Sequence, residues 1–444
     1  MALRQINIRV INLSMSQGGF IRLSRLFGAV LGLFLLALVS FGVLLYVRST
    51  WYSFEQPRPF EGDTWYNPYQ RIDDFSGLRA NFHAHSECWS GLTNGKGSEE
   101  EVRTMYSRLG YDVYSLSNYH KIDSRSEFQS YEHGWGIGKT HQLVVGAKEV
   151  SWIDFPFIQN IHQKQSIIDF IKEENEGALV ILAHPSLRGA YTADDIARLD
   201  GFHAMEAVNK LRKSLVLWDE VLSKGAYIPA VAGDDCHNIY KPRDYGRCMT
   251  VLLSRNNSPQ AMKAAILSGR TLAVEIGGNV EGDVAEKSNA IKQGIPLQEL
   301  SVDGDVVTLK LQRKEKEVIL IGDHSDTLLR ANGQDIIKYQ IPSKWTYVRA
   351  EILCENGTRI YTNPIVRCED TFPKDESYAQ VWPLKTYFYR FIILFVVSFI
   401  WLLILIRIYD RIFTSNGGSK RSGVLSPPRV SVGSRSRGVS TRLR

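Results

Sequence analysis

Two stretches of the chain are apolar almost without interruption. Leu26–Val47 reads LFGAVLGLFLLALVSFGVLLYV and carries no charge. Tyr387–Ile406 reads YFYRFIILFVVSFIWLLILI, with Arg390 near its start. Each reaches the ~20-residue length that a helix needs to cross a bilayer, and a core helix would be shorter and apolar on one side only. The pattern therefore predicts two spans, residues 26–47 and 387–408. No small-x-small cleavage signal follows the first run, which favours a signal anchor over a removed leader. Arg4, Arg9, Arg22 and Arg25 precede that run with no acid among them, and a basic segment follows the second. Positive flanks stay inside. The expected topology has a cytoplasmic N-terminus (1–25), a cytoplasmic C-terminal tail, and residues 48–385 outside the cytoplasm.

Between the spans the pattern changes twice. Residues 48–77 are rich in Pro, Trp and Tyr and read as a connector. From Leu78 to about residue 280, short apolar runs alternate with helical patterns. LRANFHAH, YDVYSLS, HQLVVGAKEV, GALVILAHP, GFHAMEAV and AYIPAVAGDD are the expected strands. EEEVRTMYSRLG, KQSIIDFIKEENE and SPQAMKAAILSGR are helical, with Gly110 and Gly269 as stop signals. Such alternation predicts an α/β unit with parallel strands, whose chemistry sits at the strand C-termini as in α/β barrels. Residues 299–367 instead alternate apolar and polar positions, a small all-β domain, with Asn356-Gly357 as a two-residue hairpin signal. The tail, 409–444, reads as basic and disordered.

Composition adds little. The net charge of +6 resides in the tail, which from Arg407 onward holds nine Lys/Arg against one Asp. No nucleic-acid partner is expected from a remainder that is near neutral. Five cysteines do not make a disulfide framework. Cys354 and Cys368 either pair, in an oxidising compartment, or stay free thiols. Cys88 and Cys236 stand beside candidate site residues.

The polar residues at the strand ends form a recurring set. NFHAHS contributes His83 and His85, two residues apart and so on one face of a strand. VVGAKEVSW contributes Glu149, VILAHPS His184, MEAVN Glu206 and Asn209, and AVAGDDCHN Asp235 and His237. His133, His141, His162, His203 and His324 read as ordinary surface or core histidines. Neutral imidazoles together with carboxylates suit Zn²⁺, Mn²⁺ or Fe²⁺. A carboxylate between two cations can bridge them, and such a pair can clamp a phosphoryl group.

In order and context these segments resemble the PHP family, the polymerase and histidinol phosphatase domain. HAHS is similar to its HxHS motif, GAKE to the turn before its metal-bridging Glu, AHP to its own AHP, and GDDCH to its GSDxH. The resemblance covers residues 78–280. It implies a distorted (β/α)7 TIM-like barrel, a centre of two or three divalent metal ions (Zn, Mn or Fe), and hydrolysis of phosphoesters by metal-bound hydroxide. It further implies that His83, His85, Glu149 and Asp235 hold a first ion and that Glu149 bridges to a second held by His184. Glu206 and Asn209 would line the second site, and His237 would belong to a third.

The departures fall on that third site. SNYH, Ser117 to His120, stands where family members often have TDHN, so Asn118 and Tyr119 replace an Asp and a His. His120 would then substitute by a one-residue shift. Ser90-Gly91 stands where many members have Asp-Gly. Asp235, His237, Arg188 and Arg247 are the expected catalytic residues, with Arg243, Lys148 and Lys210 as further cations for phosphate. The favoured reading is a membrane-anchored, metal-dependent phosphoesterase acting on a small or lipid-linked phosphoester. The alternative is a non-catalytic metal- or ligand-binding module with a β interaction domain.

Overall fold

The computed structural model describes residues 17–126, 128–254, 256–369 and 378–413. The basic tail from residue 414 and the first sixteen residues of the expected cytoplasmic N-terminus lie outside these. Contacts divide the chain into one unit ending at Ile393 and another beginning at Leu394.

Helix α1 (Gln17–Leu45) opens the first unit, and Tyr46–Arg48 adds a 3₁₀ turn. Strand β1 (Tyr52–Phe54) and β2 (Thr64–Tyr66) follow in the connector. The next strands are β3 (Leu78–Asn81), β4 (Val113–Tyr114), β5 (Ser130–His133), β6 (Gln142–Val145), β7 (Leu179–Leu182), β8 (Ala204–Asn209), β9 (Ala230–Gly233), β10 (Cys248–Leu252) and β11 (Thr271–Glu275). Helices α2 (Glu99–Leu109), α3 (Ile161–Glu174), α4 (Ala193–Arg198), α5 (Leu215–Ser223), α6 (Pro259–Leu267) and α7 (Val284–Lys292) lie between or just after them.

The caps explain the helix ends. Ser98 and Glu101 form a capping box at α2, and Asn160 with Gln163 does the same at α3. Gly110 stops α2 in a left-handed conformation (φ 90°), as its position in the sequence suggests.

The fold is mixed α/β with several sheets. Five strands pair in the order β5-β6-β7-β8-β9. The pairs β7–β8 and β8–β9 are parallel, as expected. The pairs β5–β6 and β6–β7 are antiparallel, against expectation. No single hydrogen-bonded sheet closes into a TIM-like barrel among the described residues. Isolated parallel bridges at Tyr119–Glu132 and Ala84–Cys236 join the two ends of this sheet to the paired strands β4 and β3.

The second half of the chain contributes β12 (Leu297–Asp303), β13 (Val306–Leu311), β14 (Glu317–Ile321), β15 (Thr327–Asn332), β16 (Ile336–Gln340), β17 (Tyr347–Leu353), β18 (Arg359–Thr362), β19 (Ile365–Cys368) and β20 (Ala379–Val381). One sheet runs β15-β14-β17-β18-β11-β10-β3-β4, so four of these strands continue the sheet of the first half, while β12, β13 and β16 form a sheet of their own. The core is continuous as well: Tyr106, Leu109 and Val251 pack in one cluster with Leu309, Val318 and Ile352. The β17–β18 turn is longer than two residues. Cys354 N–H donates to the Thr358 carbonyl (2.8 Å), and Gly357 takes positive φ between them. All five cysteines are free, so Cys354 and Cys368 do not pair.

The last helix, α8 (Pro383–Phe413), begins in the first unit. In the second unit its large side chains, among them Phe399, Leu403 and Leu405, stay largely exposed. Among the described residues, two helices are thus long and apolar enough to cross a membrane.

Candidate metal centre

The site forms where strand ends meet. β3 runs into His83 and His85, β7 into His184, and β9 into Asp235, while β8 carries Glu206 on its own length. Glu132 lies in β5 and His141 immediately precedes β6.

The reversal of β6 decides which of its neighbours reaches the site. Gln142, at its start, pairs with Leu182, at the end of β7 and two residues before His184. His141 therefore stands beside the ligand-bearing strand ends. Glu149 follows the other end of β6, where Val145 pairs with Leu179 at the start of β7. It is exposed, and its backbone N–H donates to Asn175 Oδ1 at 3.0 Å. Glu132, not Glu149, is the carboxylate among the imidazoles. His141 is likewise a member of the cluster and not an ordinary core histidine.

Among the described residues, four overlapping groups have ligand atoms within 4.8 Å of one another. They are His83/His184/Asp235, His83/His85/Glu132, His85/Asp235/His237 and Glu132/His141/His184. Glu132 belongs to two of them. Its Oε1 lies 2.6 Å from His141 Nδ1 and 3.2 Å from His184 Nε2, and its Oε2 lies 3.2 Å from His85 Nε2. Asp235 Oδ1 is 3.2 Å from His83 Nε2 and 3.3 Å from His85 Nε2.

These contacts are close but mostly not hydrogen bonds. His83 Nε2, both nitrogens of His85, Glu132 Oε2, His141 Nε2, His184 Nδ1 and Asp235 Oδ1 are buried without a hydrogen-bond partner. An unsatisfied buried polar atom costs about 1–3 kcal/mol, and seven in one place need a common partner. Divalent cations accept such lone pairs, so the residues present fit metal binding. Two of these residues also have positive φ, His184 (29°) and Asp235 (49°). That is backbone strain of the kind stored at functional sites.

Charge and burial set the protonation of the cluster. Burial would lower the His83 pKa, but Glu206, Asp235 and Glu132 outweigh it and hold it well above its ordinary value. Burial would raise Glu132, but His141 and His83 pull it well below the carboxylate range. Asp235 is lowered by His83 and His85 against the same burial.

A second layer orients the ligands. Glu206 Oε1 is 2.9 Å from His83 Nδ1, and Oε2 accepts from His184 N–H (2.9 Å) and Asn209 Nδ2 (3.1 Å). Glu206 and Asn209 therefore position ligands and do not join the cluster. Asp234 accepts from the N–H groups of Gly246, Arg247 and Cys248 and from the Tyr106 hydroxyl, which anchors the turn that presents Asp235.

Several expected residues lie elsewhere. His120 is tied between the Ser151 carbonyl (3.0 Å) and the Gly134 N–H (3.1 Å), and burial lowers it to about 4. It does not rebuild a third site. Asn118 accepts from Ser86 N–H and donates to Ser86 Oγ. Ser90 is exposed on a 3₁₀ turn. Arg188 is exposed, Arg243 pairs with Glu281, Lys210 pairs with Asp244, and Lys148 is exposed. Arg247 is half-buried, and its placement rests on its backbone bond to Asp234. His237 does join His85 and Asp235. Its Nδ1 lies 2.9 Å from the Asp235 carbonyl and its Nε2 3.3 Å from the Tyr119 hydroxyl. Its side chain is 16% exposed, against 0–2% for His83, His85, His141, His184, Glu132 and Asp235. The cluster opens on the His237 side.

Glu132 and His141 are legible only in hindsight. YEHGWGIGKTHQLVV carries a Glu and a His on either side of a Gly-rich loop, but the run SYEH is too short to stand out as a strand.

No protein-family model matches the chain, and no curated protein matches it in sequence. Among solved structures, it is similar to a two-domain protein from Bacteroides vulgatus described as containing a predicted PHP-like metal-dependent phosphoesterase. The identity is 14% and the TM-score 0.36, over 74% of this chain and 99% of that one. A likeness so slight carries no fold or function to this chain.

Proposed function

We propose that this chain is a metal-dependent phosphoesterase anchored in a membrane by two helices, with residues 48–385 outside the cytoplasm. The observation that carries the reading is the position of Glu132, between His83 and His85 on one side and His141 and His184 on the other. With Asp235, these residues would hold two divalent ions. Such ions supply a lowered pKa for water and positive charge for phosphoryl oxygens.

The chain's own residues do the rest. Glu206 accepts from His83 Nδ1–H and leaves Nε2 free as a ligand. The His237 Nδ1–H donates to the Asp235 carbonyl, so its Nε2 lone pair faces the Tyr119 hydroxyl at the open side, and the two can pass a proton there. The Tyr119 phenol is held neutral by burial and by Glu132, and so can donate to an oxygen there. A second reading, a metal site without turnover, draws on Asn118, which is bound to Ser86 and not to the cluster.

Full-length protein in detergent, loaded with Mn²⁺ or Zn²⁺, tests both. The expected result is two bound equivalents and hydrolysis of p-nitrophenyl phosphate or its bis-ester. Bound metal without turnover of either would leave the second reading, and no metal at any loading would remove both. Protease added to intact cells should cut residues 48–385 and spare the tail.

A further inference from the structure

Three loops that adjoin the cluster end in large apolar side chains turned to solvent. The loop after His85 carries Trp89. The loop joining Glu132 to His141 carries Trp135 and Ile137. The segment 151–159 carries Trp152, Phe157 and Ile158. Ile137 is 67% exposed and Ile158 82%. Exposed apolar side chains gathered on neighbouring loops mark an interaction site.

The loops are held in place. Asp154 accepts from the N–H groups of Trp135, Gly136 and Phe155 and from Gln159 Nε2, tying two of them together. Trp89 packs edge-on against Trp152 (5.9 Å), which stacks on His120. The Trp89 indole N–H donates to the Tyr119 carbonyl at 2.8 Å. Tyr119 meets His237 on the open side of the cluster, so the apolar tips and the way into the site share one face.

That face is continuous with helix α1. The Tyr46 hydroxyl donates to the Ile158 carbonyl and accepts from Phe157 N–H, each at 3.0 Å. Its ring lies 5.1 Å from Phe155. A Cβ at Gly42 would fall 2.9 Å from the Phe157 ring. Gly42 lies inside the apolar run, six residues before Arg48, the first charge after it. At 1.5 Å per residue that is roughly 9 Å along the axis. An interfacial apolar surface buries roughly 5–10 Å deep, and Trp favours that zone.

We infer that these loops form a collar seated in the membrane that α1 crosses, and that the substrate is a phosphoester on a lipid of that membrane. The collar follows from continuity with α1. The substrate class rests on the phosphoesterase reading above.

The test uses the full chain in phosphatidylcholine vesicles containing phosphatidic acid and phosphatidylglycerol. Cysteines introduced at Ile137, Ile158 and Ile336, the last 53% exposed on β16, carry an environment-sensitive fluorophore. Labels at 137 and 158 should emit as in an apolar medium and be quenched by lipid-borne spin labels, with 336 aqueous. Aqueous emission from all three, as a collar bound by a soluble protein or by nothing would give, overturns the collar. The pair Ile137→Asp/Ile158→Asp should lower hydrolysis of vesicle lipid about tenfold, roughly 1.4 kcal/mol, and leave p-nitrophenyl phosphate turnover unchanged. Equal effects on both substrates, or hydrolysis of the soluble ester alone by the wild type, overturns the lipid substrate. Hydrolysis of neither sinks the phosphoesterase reading, while the fluorophores still judge the collar.

Discussion

Glu206 Oε1 stands 2.9 Å from His83 Nδ1, with the carboxylate 1% exposed and the ring fully buried. This pair sets the tautomer of a central ligand. Glu206→Gln can accept the same N–H only with its oxygen turned toward His83, and it loses the charge that favours the imidazole. Metal affinity should fall about 10–100-fold, read by competition with a chelating dye. Unchanged affinity would mean that His83 is oriented by something else.

Glu132 and Glu149 make a matched comparison. Glu132→Gln should cost at least one metal equivalent, because Glu132 belongs to two of the four ligand groups. Glu149→Gln should cost none, because Glu149 is exposed beyond the far end of β6. Elemental analysis of both purified variants decides it. Metal loss from Glu149→Gln with retention in Glu132→Gln would reverse the assignment.

The two halves of the first unit are joined by a buried ion pair. Arg349 on β17 makes a bidentate contact with Asp219 on α5, at 2.6 and 2.7 Å, and lies over the Trp218 ring. Removing one partner of a buried pair typically costs about 3–5 kcal/mol. Asp219→Asn should therefore lower the denaturation midpoint far more than Lys213→Gln, which breaks a pair that is partly exposed. Similar midpoints would show that the pair adds little.

Acid should weaken the fold partly through His203. Burial lowers its pKa to about 4, and its Nδ1 accepts from Val180 N–H, so it is neutral in the folded chain. The unfolded chain takes up the proton near the ordinary value of about 6.5. Stability from this group is full above pH 6.5, falls between 6.5 and about 4, and changes no further below. His203→Gln keeps an acceptor and cannot titrate, so its midpoint should drop less between pH 7 and pH 4.5. An identical drop would assign the acid limb to other groups.

What the sequence determined by itself is the set of elements whose signal is local. The two apolar runs are continuous, and length alone marks them as able to span. His83, His85, His184 and Asp235 follow apolar strands of one direction, so the order of the chain already places them at one edge. Glu132 was beyond it because SYEH is too short to stand out as a strand, and His141 because β6 runs antiparallel between its neighbours. That reversal brings the residue before the strand, and not the carboxylate after it, to the metal edge. No periodicity reports strand direction, since alternation reads the same both ways. The shared sheet was equally hidden. β11 pairs with β18 across nearly ninety residues of chain, and only backbone pairing in the folded protein makes one layer of two sequence patterns.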